Sequence, residues 1–85
     1  MTRLTEKNDG IYRAADPEAA LRRLGQWEDL YEALSQEREA AGEKMRVLNE
    51  MGKSKTASYR QLFALRLQLG DILTRMEAAV GPKDD

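Results

Sequence analysis

The side chains that could do chemistry are few and of restricted type. The 85-residue chain contains neither Cys nor His. Thiolate nucleophiles, disulfides, zinc-thiolate sites and imidazole bases are therefore excluded. Gly52-Lys53-Ser54 matches the end of a phosphate-binding P-loop, but that loop needs a glycine five residues before Gly52. Val47 stands there, and a helical rather than a strand pattern precedes it. What remains is a basic cluster of Lys53, Lys55 and Arg60 beside Tyr59, at the start of a helical pattern whose free amides favour anions. It reads either as a solvated turn or as a phosphate contact. Arg66, six residues beyond Arg60, can join the second reading.

Acidic side chains form the other group. Glu28, Asp29, Glu32, Glu37, Glu39 and Glu43 lie along one segment, where they form either a solvated face or an imitation of nucleic-acid phosphates offered to a basic protein. Asp29 and Glu32 also invite comparison with helical pyrophosphohydrolases. The later helical segment supplies only Asp71 and Glu77, too far apart for one magnesium cage. No catalytic residue, metal site or cofactor is expected, and the chain is read as not an enzyme.

The composition agrees with a water-soluble, single small domain: 34% of residues are charged and 41% hydrophobic. Fourteen basic against fifteen acidic side chains leave a net charge of −1, so direct DNA or RNA binding is not expected. The balance is uneven, at −3 over residues 17–51 and +3 over 52–80, which favours attraction between the two halves. No leader-like apolar run follows Met1 and no stretch approaches the roughly 20 apolar residues of a membrane span. The expected address is cytoplasmic. A chain this short sits near the limit for a single core, so self-association as a homodimer or higher oligomer is expected.

Periodicity supplies the elements that must position these groups. Asn8-Asp9-Gly10 between Leu4-Thr5-Glu6 and Ile11-Tyr12-Arg13 predicts a short β-hairpin, or else an arm, over residues 1–15. If ordered, Leu4, Ile11 and Tyr12 should dock on a helix, with Tyr12 covering Leu21 and Leu24. Asp16-Pro17-Glu18 is a helix start. From Leu24 an apolar seam runs through Trp27, Tyr31, Leu34, Arg38, Ala41, Met45 and Leu48 in steps of three and four, widened by Leu21 and Leu30. A first helix over 17–51, a turn over 52–56 and a second helix over 57–80 follow, with a tail over 81–85. Tyr59, Leu62, Leu65, Arg66, Leu69, Ile72, Leu73, Met76 and Val80 continue the seam.

The fold class expected is mainly α: a long antiparallel coiled-coil-like helical hairpin with the short N-terminal β-hairpin. Folding back would set Leu48 against Tyr59, Met45 against Leu62, Leu34 against Leu73, Tyr31 against Met76 and Trp27 against Val80. The seven-residue phase also passes through the turn without slipping, so one continuous helix of about 64 residues and roughly 96 Å is the competing architecture. Ser58 with Gln61, Thr56 or Ser54 can cap the second helix. Trp27, Tyr31, Tyr59 and Phe63 read as core. Arg38 and Arg66, both on the seam, either reach water, pair with Glu37, Glu39 or Asp71, or hold an anion or a partner carboxylate.

Certain residues carry a resemblance. Arg3-Leu-Thr-Glu6, Asp9-Gly10, Tyr12, Ala20-Leu21-Arg-Arg-Leu24 and Trp27-Glu28-Asp29 resemble the opening of small phage and prophage proteins of Gram-positive bacteria. Gly52-Lys-Ser-Lys-Thr-Ala-Ser-Tyr-Arg-Gln-Leu62 is similar to the C-terminal portion of related phage proteins with a K-S-A-x-Y/F-x-x-L signature. Two departures are Trp27 in place of a Tyr and a helical pattern that continues past Asp29, where relatives turn through Thr-Gly. The resemblance implies a phage product that modulates host machinery, as antagonists of CRISPR nucleases and sponges for nucleotide signals do.

The expected function is accordingly a non-enzymatic helical interaction protein binding a host bacterial protein in counter-defence, with Glu28, Asp29, Glu32 and Tyr12 as its candidate contact residues. The first alternative is an oligomeric sponge for a small nucleotide signal using Lys53, Lys55, Tyr59, Arg60 and Arg66. The second is a structural coiled-coil oligomer.

Overall fold

A computed structural model describes residues 1–80; the expected 81–85 tail, with its Gly81-Pro82 helix stop, lies outside the described residues. The chain is mainly helical. Strands β1 (Thr5–Asn8) and β2 (Ile11–Ala14) precede helices α1 (Pro17–Glu50) and α2 (Ala57–Ala79). It divides into two compact units, Met1–Leu30 and Tyr31–Asp85.

In the first unit, β1 and β2 pair antiparallel with Thr5 opposite Ala14 and Asn8 opposite Ile11. The turn between them has positive φ at both Asp9 (52°) and Gly10 (80°). Two successive left-handed residues match the twist of the flanking strands, which is why Asp-Gly serves here. Asp16 then starts α1 as expected: its Oδ1 accepts from the Ala19 amide at 3.1 Å, satisfying a first-turn donor that has no partner within the helix.

The docking expected of this hairpin is only partial. Leu4 is half-buried, as are Ala19, Ala20 and Arg23 of α1, and the Arg23 guanidinium donates to the Thr2 carbonyl. Ile11 and Tyr12 instead stay exposed, Tyr12 at 60%, and so do Leu21 and Leu24. Tyr12 therefore does not cover Leu21 and Leu24. The register explains this: Tyr12 faces Lys7 across the ladder, whose ammonium lies 5.4 Å from the ring centroid, and cation–π attraction holds the ring there. Leu30, read as widening the seam, is exposed as well.

In the second unit, the α1 seam is buried at Ala41 and Met45 and half-buried at Tyr31, Leu34 and Leu48. From α2, Leu69 and Leu73 are buried, with Tyr59, Leu62, Leu65 and Met76 half-buried. Contacts between the helices run in opposite chain directions: Tyr31 with Glu77, Arg38 with Gly70, and Gly42 with Arg66. The seam stops short of Val80, which is 67% exposed.

The competing single helix fails at Gly52. Its φ of 73° accompanies two bonds that close α1, from the Gly52 amide to the Asn49 carbonyl at 3.0 Å and from the Lys53 amide to the Leu48 carbonyl at 2.8 Å. This is the Schellman stop, and glycine suits it because a Cβ clashes in that conformation. An unslipped heptad count is a side-chain property and cannot carry the backbone through a left-handed residue. Of the three candidate caps for α2, the chain uses Thr56. Its hydroxyl accepts from the Tyr59 amide at 3.3 Å and donates to the Lys53 carbonyl at 2.8 Å.

Gly52 and Gly25 thus predict opposite outcomes. Gly52→Ala should destabilise by roughly 1–2 kcal/mol, the cost of a left-handed non-glycine residue. A Cβ at Gly25, inside α1, meets nothing within 4 Å, so Gly25→Ala should stabilise by about 0.5–1 kcal/mol. Urea unfolding followed by circular dichroism reads both.

Candidate functional site

Each group singled out in the sequence has a definite setting. Tyr12 lies on β2 and is exposed; Glu28 and Asp29 are exposed on α1 in the first unit; Glu32, also exposed, belongs to the second. Of the other acidic residues, Glu43 is neutralised locally. Arg46 bridges it and Glu50, each at 2.5 Å, along the outer surface of α1. The hydrogen bond from Arg46, then its charge, holds the Glu43 carboxyl below the usual carboxylate range.

The basic cluster does not converge on one point with Arg66. Lys53 and Lys55 are exposed in the connection between the helices. Tyr59 is half-buried, and the Arg60 guanidinium turns back to the Lys55 carbonyl at 3.5 Å. Arg66 instead shares a cleft of about 440 Å³ with Arg38, Phe63, Leu67, Gly70, Asp71 and Thr74, all in the second unit. Phe63, read as core, is 50% exposed at this cleft. It precedes Leu67 by one turn, and this pair falls outside the stripe formed by Leu62, Leu65, Leu69 and Leu73.

The cleft is built by reciprocal packing. The Arg38 guanidinium passes over Gly70, three of its atoms at 3.5 Å from where a Cβ would stand, and Arg66 passes over Gly42 with its Nε at 3.3 Å from the equivalent point. Both arginines remain exposed. Among the described residues neither has an ion pair: Asp71 binds Arg75 at 3.2 Å, and the expected pairing with Glu37, Glu39 or Asp71 is not made. The signal that could have found this arrangement is a shared spacing, Arg four residues before Gly, in both helices.

On the adjoining surface, Tyr31 and Ser35 of α1 meet Thr74 and Glu77 of α2. The Tyr31 hydroxyl donates to Glu77 Oε1. That bond first, then desolvation and the carboxylate charge, raises the phenol above its ordinary value, while a hydrogen bond with Ser35 opposes the shift. Among the described residues, no group of three or more His, Cys, Asp or Glu could hold a metal ion. No described helix is long and apolar enough to cross a membrane.

The Tyr31 bond sets a pH dependence. A phenol whose folded pKa lies above its unfolded value contributes stability that is fully present below the unfolded value, about 10, and is lost as pH rises through the folded value. Urea midpoints of the parent protein should therefore stay level up to about pH 9 and fall as the pH rises through about 10 and above. Tyr31→Phe should flatten that fall while lowering stability at neutral pH.

Comparison with known proteins returns no match from protein-family models, from curated proteins or from solved structures. The functional reading therefore rests on the residues and geometry of this chain.

Proposed function

We infer that this chain is a phage-derived, non-enzymatic helical interaction protein. It acts by covering a surface of a host bacterial protein, as a counter-defence factor of the anti-CRISPR type. Its working body is the coiled-coil-like antiparallel hairpin of α1 and α2, in the cytoplasm of the host cell. One observation carries the binding role. The second unit buries Ala41, Met45, Leu69 and Leu73, yet leaves Val47, Met51, Phe63, Leu67 and Ile72 exposed. Exposed apolar side chains grouped on helices and rimmed by charge are what partner chains cover. The exposed carboxylates of Glu28, Asp29 and Glu32 add electrostatic selectivity for a basic partner.

The same thin core supports self-association. The excess acid of 17–51 and excess base of 52–80 let one copy set its basic helix beside the acidic helix of another. The phage origin is supported by the sequence resemblance at Arg3–Glu6, Ala20–Asp29 and Gly52–Leu62.

Sedimentation and affinity capture test the reading together. The parent protein should sediment as a dimer or larger and retain a discrete host protein. Glu28→Lys, Asp29→Lys and Glu32→Lys combined should lose that protein while keeping the helical circular dichroism signal. An unchanged partner list overturns the acidic contact surface. High-order assembly with no partner identifies a structural oligomer instead.

A further inference from the structure

Arg38 and Arg66 present an unusual cost without a visible return. Both interrupt the apolar seven-residue seam, both remain exposed, and each lies across a glycine of the opposite helix. Glycine inside a helix is unfavourable, and two like charges lining one cleft repel each other. Among the described residues, neither guanidinium has an ion pair or a hydrogen bond, and the single carboxylate at the cleft, Asp71, is engaged by Arg75 at 3.2 Å. A leucine or methionine at either position would extend the seam with none of these penalties. What the arrangement does provide is two planar donor forks, held in place by glycine backbone and opening into a cleft of about 440 Å³.

The chemistry of the cleft selects its ligand. Two guanidiniums can grip one tetrahedral oxyanion from two sides, each through paired N–H donors, and a doubly charged phosphate neutralises both. The Thr74 hydroxyl on the same wall can donate to a remaining oxygen. Beside the cations, Phe63 and Leu67 are 50% and 61% exposed. They form an apolar shelf that a bare inorganic ion would leave unused and that a flat ring would cover. We propose that the Arg38/Arg66 cleft binds a small phosphate monoester with a planar apolar body, the chemistry of a nucleotide, with the arginines on the phosphate and Phe63 with Leu67 under the ring. Lys53, Lys55, Tyr59 and Arg60 do not line this cleft.

The site shares Phe63 and Leu67 with the exposed apolar surface of the protein-binding reading, and small-molecule binding to the isolated chain tests it apart from any host protein. Calorimetry on the full chain would use the nucleoside 5′-monophosphates, phenyl phosphate, inorganic phosphate, the free nucleosides and a glutamate-rich peptide. At least one nucleotide should bind, and its free nucleoside should not. Arg38→Met and Arg66→Met should each weaken binding by roughly tenfold or more. Arg66→Lys keeps the charge but not the fork, and should still weaken it. Phe63→Ala should weaken nucleotide binding and leave inorganic phosphate unaffected. Circular dichroism of each variant separates loss of the site from loss of the fold, and Arg66→Lys serves where a methionine variant misfolds. Absence of heat with every phosphorylated probe at millimolar concentration overturns the proposal, as does nucleotide binding that survives Arg38→Met with Arg66→Met. Inorganic phosphate binding as well as any nucleotide overturns the planar-body assignment. Preference for the glutamate-rich peptide transfers the cleft to a protein carboxylate.

Discussion

The second unit depends on a narrow apolar contact. Ala41 and Met45 from α1, with Leu69 and Leu73 from α2, are its buried side chains, and burying each large one contributes on the order of 1.5–3 kcal/mol. A core this small leaves little margin against the conformational entropy of ordering two helices. The surrounding features act as supports for it. Thr56 and Gly52 define where one helix stops and the next begins, so the two seams meet in a single register. The Tyr31–Glu77 hydrogen bond ties the helices near one end of the contact.

The glycines beside this core shape the surface. Gly42 and Gly70 interrupt otherwise good helix-forming runs, and each receives the planar end of an arginine from the other helix. A Cβ at either position would meet that guanidinium at 3.3–3.5 Å. The cations lie flat over backbone and still reach water. Packing and charge therefore meet on one flank, and the aromatic ring of Phe63 adds an apolar surface to it. In the first unit the cation does something different: Lys7 sits over Tyr12 and keeps the ring on the hairpin.

The charge pattern is distributed in the same spirit. Glu43, Arg46 and Glu50 neutralise one another within α1, and Asp71 with Arg75 does so within α2. These exposed pairs contribute little to stability, but they withdraw charges from the pool available to a partner. Glu28, Asp29, Glu32, Arg38 and Arg66 remain outside any ion pair among the described residues.

Local chemistry was legible in the amino-acid order. Asp9-Gly10 demanded a left-handed turn, Asp16-Pro17 a helix start, and the three-and-four spacing of Leu34, Met45, Leu69 and Leu73 an inward face, because these depend on neighbours within a few residues. The position of the break was legible too, although the unslipped heptad count competed with it until the backbone at Gly52 decided. The exposure of Tyr12 and Phe63 was not legible: propensity treats an aromatic at helical or strand spacing as core, whereas burial depends on what lies opposite. The pairing of Arg38 with Gly70 and of Arg66 with Gly42 joins residues far apart in the chain. Each arginine by itself reads as a flaw in the seam, and only the antiparallel approach of α1 and α2 turns the two flaws into one cleft.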